Sequence, residues 1–288
     1  MSESAGDKPS ASPELVKKKG PKPILIAAVA IIVVIALVAV VVAGGFLNTK
    51  EKTTLEKIKD RGYIIVGTDV PYPPFEFYNT TSAKYEGVDM EVINKVAQYL
   101  NVTVKVVPYG FSELIGAVQT GKIDVAISSM TITASREEAI DFSVPYYDAN
   151  QACLVKDGSS ITSAEDLRNI VVAAQLGTTG AFWVQDNLVT KGNITSGQAV
   201  VYDFVDTAVL SVQNGQSSCC IIDTPVANGY ATDTAYNLHV AFTIQTNEQY
   251  GIAMKSGETS LKAAVDAALT AMKNDGSLHA ILEKYNVL

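Results

Sequence analysis

A cluster of hydroxyl side chains followed by an arginine is the part of the sequence best suited to hold a ligand. Ser128, Ser129 and Thr131 follow the apolar residues 123–127, and Arg136 comes five positions later. An arginine guanidinium can bind a carboxylate through two parallel hydrogen bonds, and nearby hydroxyls can complete the oxygen shell. The pattern therefore indicates a carboxylate site at the end of a strand.

The setting of Arg136 allows two interpretations. Thr133 is a good N-cap, so Arg136 is predicted in the first turn of a helix, where the backbone dipole is already positive and a cation needs an anion. The anion could be a ligand carboxylate. It could also be one of the nearby acids, in a solvated surface pair of little energetic value. Those acids are Glu137, Glu138 and Asp141.

A second strand end supplies the opposite charge. The sequence of helix, glycine and buried strand at residues 118–127 recurs at residues 212–222, where it ends at Asp223. Two similar lobes facing each other would present Arg136 from one side and Asp223 from the other, which matches the carboxylate and ammonium of an α-amino acid. Asp223 is also suited to cap the helix that begins at Thr224 and Pro225, and that role is compatible with ligand contact.

Two loops offer further contacts. The proline-rich loop at residues 68–77 cannot be helical, and we assign Asp69 and Tyr72 in it to the cleft. The turn at residues 175–180 joins a buried strand to a helix. Its backbone N–H groups suit one carboxylate, because the lysine and remaining glycines of a triphosphate-binding loop are missing.

The order of predicted elements places these residues. Strands and helices alternate from residue 63 to residue 127, which predicts right-handed crossovers and a parallel sheet. Strand 123–127 follows a helix that we expect Ser112 to cap. The chain leaves this unit near residues 146–151 and returns near residue 245. Two crossings make a hinge that can close over a ligand.

The amino-terminal segment predicts a membrane anchor. Residues 24–43 carry no charge over twenty positions and follow a lysine-rich stretch, so a single helix would keep the tail 1–23 in the cytoplasm and export the rest. A cleaved signal peptide, with a secreted product, is the alternative.

Charge and cysteine content exclude other classes. The tail 1–23 has five lysines and three acids, so removing its +2 from the total of −8 leaves −10, the wrong sign for a nucleic-acid binder. Cys153, Cys219 and Cys220 are interpreted as buried thiols, with a bridge from Cys153 to one of the pair as the alternative. Three sequons, at Asn79, Asn101 and Asn193, permit glycosylation without arguing for it. We expect no metal and no cofactor.

Seven short motifs in order resemble the extracellular solute-binding proteins of family 3, the amino-acid receptors of ABC importers. The resemblance covers about residues 55–285. Its motifs are GTD at 67–69 with PFEF at 74–77, GVDME at 87–91, GKID at 121–124, TITASR at 131–136, IDFSVPYY at 140–147, LGTTG at 176–180 and DTPVA at 223–227.

The resemblance implies a two-lobed, periplasmic-binding-protein-like α/β fold of type II, with a mainly parallel sheet in each lobe and a two-stranded hinge. The first lobe is expected at 50–148 and 247–288, and the second at 149–246. The transmembrane anchor expected at 24–45 departs from the family, many of whose members are released or lipid-anchored. The resemblance also implies that Arg136 binds the ligand carboxylate with help from Thr131 and Thr178, and that Asp223 binds the ammonium. The other positions implied to line the cleft are Asp69, Tyr72, Phe111, Ser128, Ser129, Gln175 and Thr179.

The sequence thus predicts a monomeric, membrane-tethered receptor that binds an L-amino acid, most suitably a polar or cationic one, and passes it to an ABC permease. A cleft enzyme of the same fold, such as a cyclohexadienyl or arogenate-type dehydratase, is the alternative. It would need a positioned acid or base, for which Asp69 and Asp223 are the available carboxylates.

Overall fold

The computed structural model describes residues 31–36 and 51–288. Residues 31–36 are helical and belong to the predicted anchor, whose remaining residues lie outside the described ranges. Among the helices that are described, none is long and apolar enough to cross a membrane. Residues Lys52–Leu288 form a compact unit of their own.

This unit contains two α/β lobes. The chain first forms α1 (Thr54–Arg61), β1 (Tyr63–Thr68), β2 (Phe77–Asn79), β3 (Lys84–Glu86), α2 (Val88–Leu100), β4 (Thr103–Pro108), α3 (Leu114–Gln119), β5 (Val125–Ala126), α4 (Ala134–Glu137) and β6 (Ile140–Phe142). It continues with β7 (Tyr147–Lys156), β8 (Val172–Gln175), α5 (Thr179–Val184), β9 (Ala199–Tyr202), α6 (Val205–Gln213), β10 (Cys219–Asp223), α7 (Thr224–Thr232) and β11 (Leu238–Tyr250). It ends with β12 (Ala253–Lys255), α8 (Thr259–Asn274) and α9 (Ser277–Lys284).

Each lobe has one five-stranded, mainly parallel sheet. The first sheet has the order β4-β1-β5-β12-β6, and β12 runs antiparallel to both of its neighbours. The second has the order β11-β7-β10-β8-β9, and β7 runs antiparallel to β10 and β11. The antiparallel strand in each sheet is the first one formed after the chain has crossed from the other lobe.

The two crossings lie side by side. β7 and β11 pair along their length, from Leu238 opposite Lys156 to Tyr250 opposite Tyr147, with a register shift between Ile244 and Glu248. After β11 the chain re-enters the first sheet through β12, and α8 packs against α2. The first lobe is therefore completed by the carboxyl-terminal elements.

Apolar helix faces explain the packing of the first lobe. α2 buries Val92, Ile93, Val96 and Leu100, a spacing that brings all four side chains onto one face of the helix. α8 presents its own buried apolar face toward the same core. The other side of the sheet is covered by α3, which buries Leu114 and Val118 against it. The first sheet therefore has helices on both faces, which suits parallel strands.

Two local predictions were wrong. Ser112 does not cap a helix, because a 3₁₀ turn, Phe111–Glu113, precedes α3 and makes its own backbone bonds. The strand predicted at 123–127 pairs only at Val125 and Ala126. On either side of this pair, Asp124 and Ile127 still donate backbone N–H groups to the β1 carbonyls of Ile65 and Gly67. These bonds keep Ser128 and Ser129, here called the serine loop, close to β1.

The three cysteines are free and buried. Cys153 lies opposite Ile221, and Cys219 lies opposite Val155. Cys153 and Cys219 are therefore diagonal neighbours, whose Cα atoms stand roughly 7–8 Å apart. A disulfide needs about 4.4–6.8 Å, so this register does not favour the bridge that we considered as an alternative.

Gly87 is required where the proline-rich loop meets α2. Its φ is +123°, and an added Cβ would lie 2.1 Å from the carbonyl oxygen of Phe75. We expect Gly87→Ala to lower the free energy of unfolding by at least about 2 kcal/mol in urea denaturation. The matched control is Gly116→Ala inside α3, where nothing lies within 4 Å of the added Cβ. It should raise stability by about 0.5–1 kcal/mol, and equal losses in both variants would contradict this explanation.

Candidate functional site

A cavity between the two lobes contains every side chain predicted for the cleft. The empty space between its walls, including its opening to solvent, is about 280 Å³. The lining residues are Asp69, Tyr72, Glu76, Phe111, Ser128, Ser129, Thr131, Arg136, Gln175, Thr178, Thr179 and Asp223. Glu76 is the addition to the predicted set.

Arg136 is buried in the wall contributed by the first lobe. The Thr133 hydroxyl caps the short helix α4 by accepting from the Arg136 N–H. The guanidinium donates to the carbonyl oxygens of Thr131 at 2.7 Å and of Gly177, across the cleft, at 3.1 Å. Its central carbon lies 5.2 Å from the centre of the Phe111 ring. These contacts fix the guanidinium while leaving other N–H groups available.

The charge of Arg136 is not neutralised at the surface. The side chain is 5 % exposed, and the ion pairs found among residues 51–288 do not include it. Burial lowers the pKa of this arginine, which reflects the cost of removing its charge from water. The interpretation as a solvated surface pair with neighbouring acids does not fit this placement.

Asp223 ends β10 on the opposite wall. It occupies the N-cap position of α7, but its side chain makes no capping hydrogen bond. Instead, the carboxylate accepts from the Tyr250 hydroxyl and from the Gln151 amide. Burial, followed by the charge of Glu248, raises the pKa of Asp223 to about 6. The carboxyl group thus faces the cavity rather than the helix.

Asp69 lies beside Gln175, which reaches it from the second lobe. The Gln175 amide donates to one carboxylate oxygen of Asp69 and to the carbonyl of Asp203. The other oxygen, Oδ1, is buried and has no hydrogen-bond partner in the described part of the chain. Burial raises the pKa of Asp69 to about 6. An unsatisfied buried carboxylate oxygen is expensive unless a ligand donates to it.

The serine loop rests on two buried acids. The Ser128 hydroxyl donates to Glu76 at 2.7 Å, and the Ser129 N–H donates to Asp89 at 2.7 Å. Ser129 adopts a φ of +49°, which these bonds hold in place. Burial raises the pKa of Glu76 well above its usual range and that of Asp89 to about 7.

The second lobe contributes two threonines at the start of α5. The Thr178 hydroxyl accepts from the Ala181 N–H as the N-cap and donates to the carbonyl of Gln175 at 2.7 Å. The Thr179 hydroxyl donates to Glu248 at 2.8 Å. Both side chains are therefore held by neighbours on the cavity wall.

Sequence reasoning did not identify Gln151 and Glu248. The Gln151 amide contacts Asp223, Glu248 and Thr179, and the Glu248 carboxylate also accepts from Thr131. Both residues lie in the crossing strands β7 and β11, where polar residues of a strand usually face solvent. The register shift before Glu248 turns it inward, and no sequence pattern indicated that shift.

The described part of the chain provides no cluster of metal-ligating side chains. Across residues 31–36 and 51–288 no group of three or more histidine, cysteine, aspartate or glutamate side chains is arranged to hold a metal ion.

Known proteins resemble the part of the chain that forms the two lobes. The family model "Bacterial extracellular solute-binding proteins, family 3" matches residues 64–287. The L-cystine-binding protein TcyJ of Escherichia coli K12 is 29% identical over 233 residues, covering 80% of this chain and 85% of TcyJ. The ABC transporter glutamine-binding protein GlnH of Bacillus subtilis is 30% identical over 274 residues, covering 91% and 94%.

A solved structure shares the fold. An ancestral arginine-binding protein bound to arginine superimposes with a TM-score of 0.73 at 34% identity, covering 78% of this chain and 98% of that one. The predicted two-lobed fold of type II is therefore confirmed.

Proposed function

Because this chain belongs to the extracellular solute-binding proteins of family 3, we propose that it binds a free L-amino acid between its lobes and delivers it to an ABC permease. Its relatives TcyJ and GlnH are named as binding proteins for cystine and glutamine. The proposed lobes are residues 50–148 with 247–288, and 149–246, and the chain is proposed to act as a monomer.

The observation that carries the proposal is the pairing of Arg136 with Asp223 in one enclosed cavity. A buried guanidinium with spare donors suits the α-carboxylate, and a buried carboxylate on the other wall suits the α-ammonium. Thr131, Thr178 and the serine loop add short polar contacts. We assign to the remaining lining residues the roles of enclosing the ligand and contacting its side chain.

The side-chain end of the cavity is proposed to favour a polar or cationic group. Asp69, Glu76 and Asp223 line a cavity in which Arg136 is the lining cation. Asp69 Oδ1 is buried without a partner among residues 51–288, so a donor on the ligand would satisfy it.

A thermal-shift panel of the twenty common L-amino acids tests the function. A ligand that binds only the folded state raises the melting temperature, because it adds RT ln(1 + [L]/Kd) to the free energy of unfolding, about 2.7 kcal/mol at a hundred times its Kd. We expect one or a few polar or cationic amino acids to raise the melting temperature of the purified full-length chain. If all twenty leave it unchanged, the proposal is wrong.

Replacing Asp69 by asparagine should weaken the binding of cationic amino acids more than the binding of neutral ones. We expect Asp69→Asn to weaken the binding of L-arginine by about 10–100-fold, because a charge-assisted hydrogen bond contributes roughly 1.5–3 kcal/mol. The Kd of L-glutamine should rise much less. Calorimetric titration of both ligands measures the change, and an equal loss for both would place Asp69 outside the side-chain site.

Amino-acid binding should weaken in acid. The pKa values of Asp69 and Asp223 are raised to about 6, so protons compete with a cationic ligand for both groups. Affinity should be constant above about pH 7 and fall by up to about tenfold per pH unit, for each group, below about pH 6. The Kd of L-arginine between about pH 5 and pH 8 checks this, and a flat profile would contradict it.

We place the ligand-binding lobes outside the cytoplasm, tethered by a helix within residues 24–45. The support is the uncharged run 24–43 and the lysines that precede it. Secretion after signal cleavage is the alternative, and the mass of the purified native protein distinguishes the two. Paired strands β7 and β11 are proposed as the hinge through which capture and release alternate.

A further inference from the structure

Glu248 is a buried carboxylate at the point where the two lobes meet. It lies in β11 directly after the register shift, opposite Ala149, and is 7 % exposed. It does not line the cavity itself. Its carboxylate oxygens instead reach two threonines that do, Thr131 from the first lobe and Thr179 from the second.

The hydrogen bonds of Glu248 fix the direction of both hydroxyls. An ionised carboxylate only accepts, so Thr131 at 2.6 Å and Thr179 at 2.8 Å must each point their single proton at Oε2. The Gln151 amide donates to the other oxygen, Oε1, at 3.0 Å, so both oxygens of Glu248 act as acceptors. With its proton committed, each hydroxyl can offer the cavity only lone pairs.

Because both hydroxyl protons point at Glu248, the Thr131 and Thr179 oxygens are left as hydrogen-bond acceptors near Asp223. The Gln151 amide joins Asp223 to Glu248, and it also contacts the Thr179 hydroxyl at 3.2 Å. Both threonine hydroxyls donate to one oxygen of Glu248, and Gln151 links that carboxylate to Asp223, so three acceptor groups of the cavity wall are joined in one hydrogen-bond network. Three acceptors match in number the three N–H donors of an ammonium group.

We propose that Glu248 is a positioning residue that sets the hydrogen-bond polarity of the α-ammonium site by holding Thr131 and Thr179 as acceptors. The inference rests on the proposed function, and it assigns the Thr131 hydroxyl to the ammonium rather than to the carboxylate. Arg136 then holds the ligand carboxylate without help from this hydroxyl.

Glu248→Gln tests the proposal, because a glutamine amide can donate to the threonines and release their protons toward the cavity. The probes are L-arginine and 5-guanidinopentanoate, which has the same chain and carboxylate but no α-ammonium. We expect the variant to bind L-arginine about 10–100-fold more weakly and to bind 5-guanidinopentanoate within about threefold of the wild type. L-glutamine and glutaramate form a second pair of probes.

Controls separate positioning from general damage. Glu283→Gln removes a carboxylate from the exposed side of α9 and should leave the affinity for both ligands unchanged. Thr179→Val removes one oriented oxygen and leaves Glu248 intact, so it should show the same selective loss in smaller measure, even where Glu248→Gln folds poorly.

The outcomes are distinguishable. If the wild type binds none of the twenty common L-amino acids, the proposed function itself fails. If it binds an amino acid and Glu248→Gln weakens both members of a pair equally, or weakens neither, the function stands and the role of Glu248 is overturned.

Discussion

Arg136→Ala should abolish measurable amino-acid binding while the protein still folds. The substitution leaves the ligand carboxylate buried opposite uncompensated acids, and losing one partner of a buried, hydrogen-bonded charge pair costs about 2–5 kcal/mol. That corresponds to about 30- to 4,000-fold in Kd. Titration calorimetry with L-arginine and L-glutamine measures the loss.

Two further variants make this result specific. Arg136→Lys retains the charge but loses the planar fork, so most of the affinity should still be lost. Arg168→Ala removes an exposed arginine from the second lobe and should bind as the wild type does. Because Arg136 also donates to Thr131 and Gly177, circular dichroism and a melting curve must accompany the titration. Near-wild-type affinity in a folded Arg136→Ala protein would remove the carboxylate assignment.

Asp223→Asn should have opposite effects on stability and on binding. The raised pKa of Asp223 means that the folded protein holds its proton more tightly than the unfolded chain. Its contribution to stability is complete below the ordinary value near 3.8 and is lost as pH rises through about 6. At neutral pH the ionised group therefore destabilises the ligand-free protein, and a neutral asparagine should raise its melting temperature.

The same substitution should remove the partner of the α-ammonium. We expect binding to weaken by about 2–5 kcal/mol, so the ligand should no longer raise the melting temperature. The control is Asp186→Asn, which changes an exposed aspartate and should alter neither property. A variant that is less stable without ligand and still responds to it would show that Asp223 has a structural role instead.

The fold was predictable because its signals are local. Helices, glycine stops and buried apolar strands recur in the same order in both lobes, and Gly121 and Gly215 both adopt the positive φ expected after a helix. The family motifs add the crossing order, which local patterns leave open. The lengths of β5 and β11 were less predictable, because pairing partners far along the chain decide them.

The cavity was predictable where its residues follow strands. Arg136 lies in the short helix α4 that follows β5, Asp223 is the last residue of β10, and the two strand ends meet at the same cavity. Glu76, Gln151 and Glu248 could not be recognised in this way. Their types usually mark a solvated surface, and each is buried here by tertiary packing, by a register shift or by the opposite lobe.

Titration of the wild-type chain with L-arginine and two blocked derivatives tests the central claim most directly. The methyl ester removes the carboxylate charge that Arg136 is proposed to bind, and Nα-acetylation removes the ammonium that Asp223 is proposed to bind. We predict that L-arginine binds and that each blocked derivative binds at least about 30-fold more weakly. Equal affinity for all three compounds would contradict recognition of a free amino acid between these two residues.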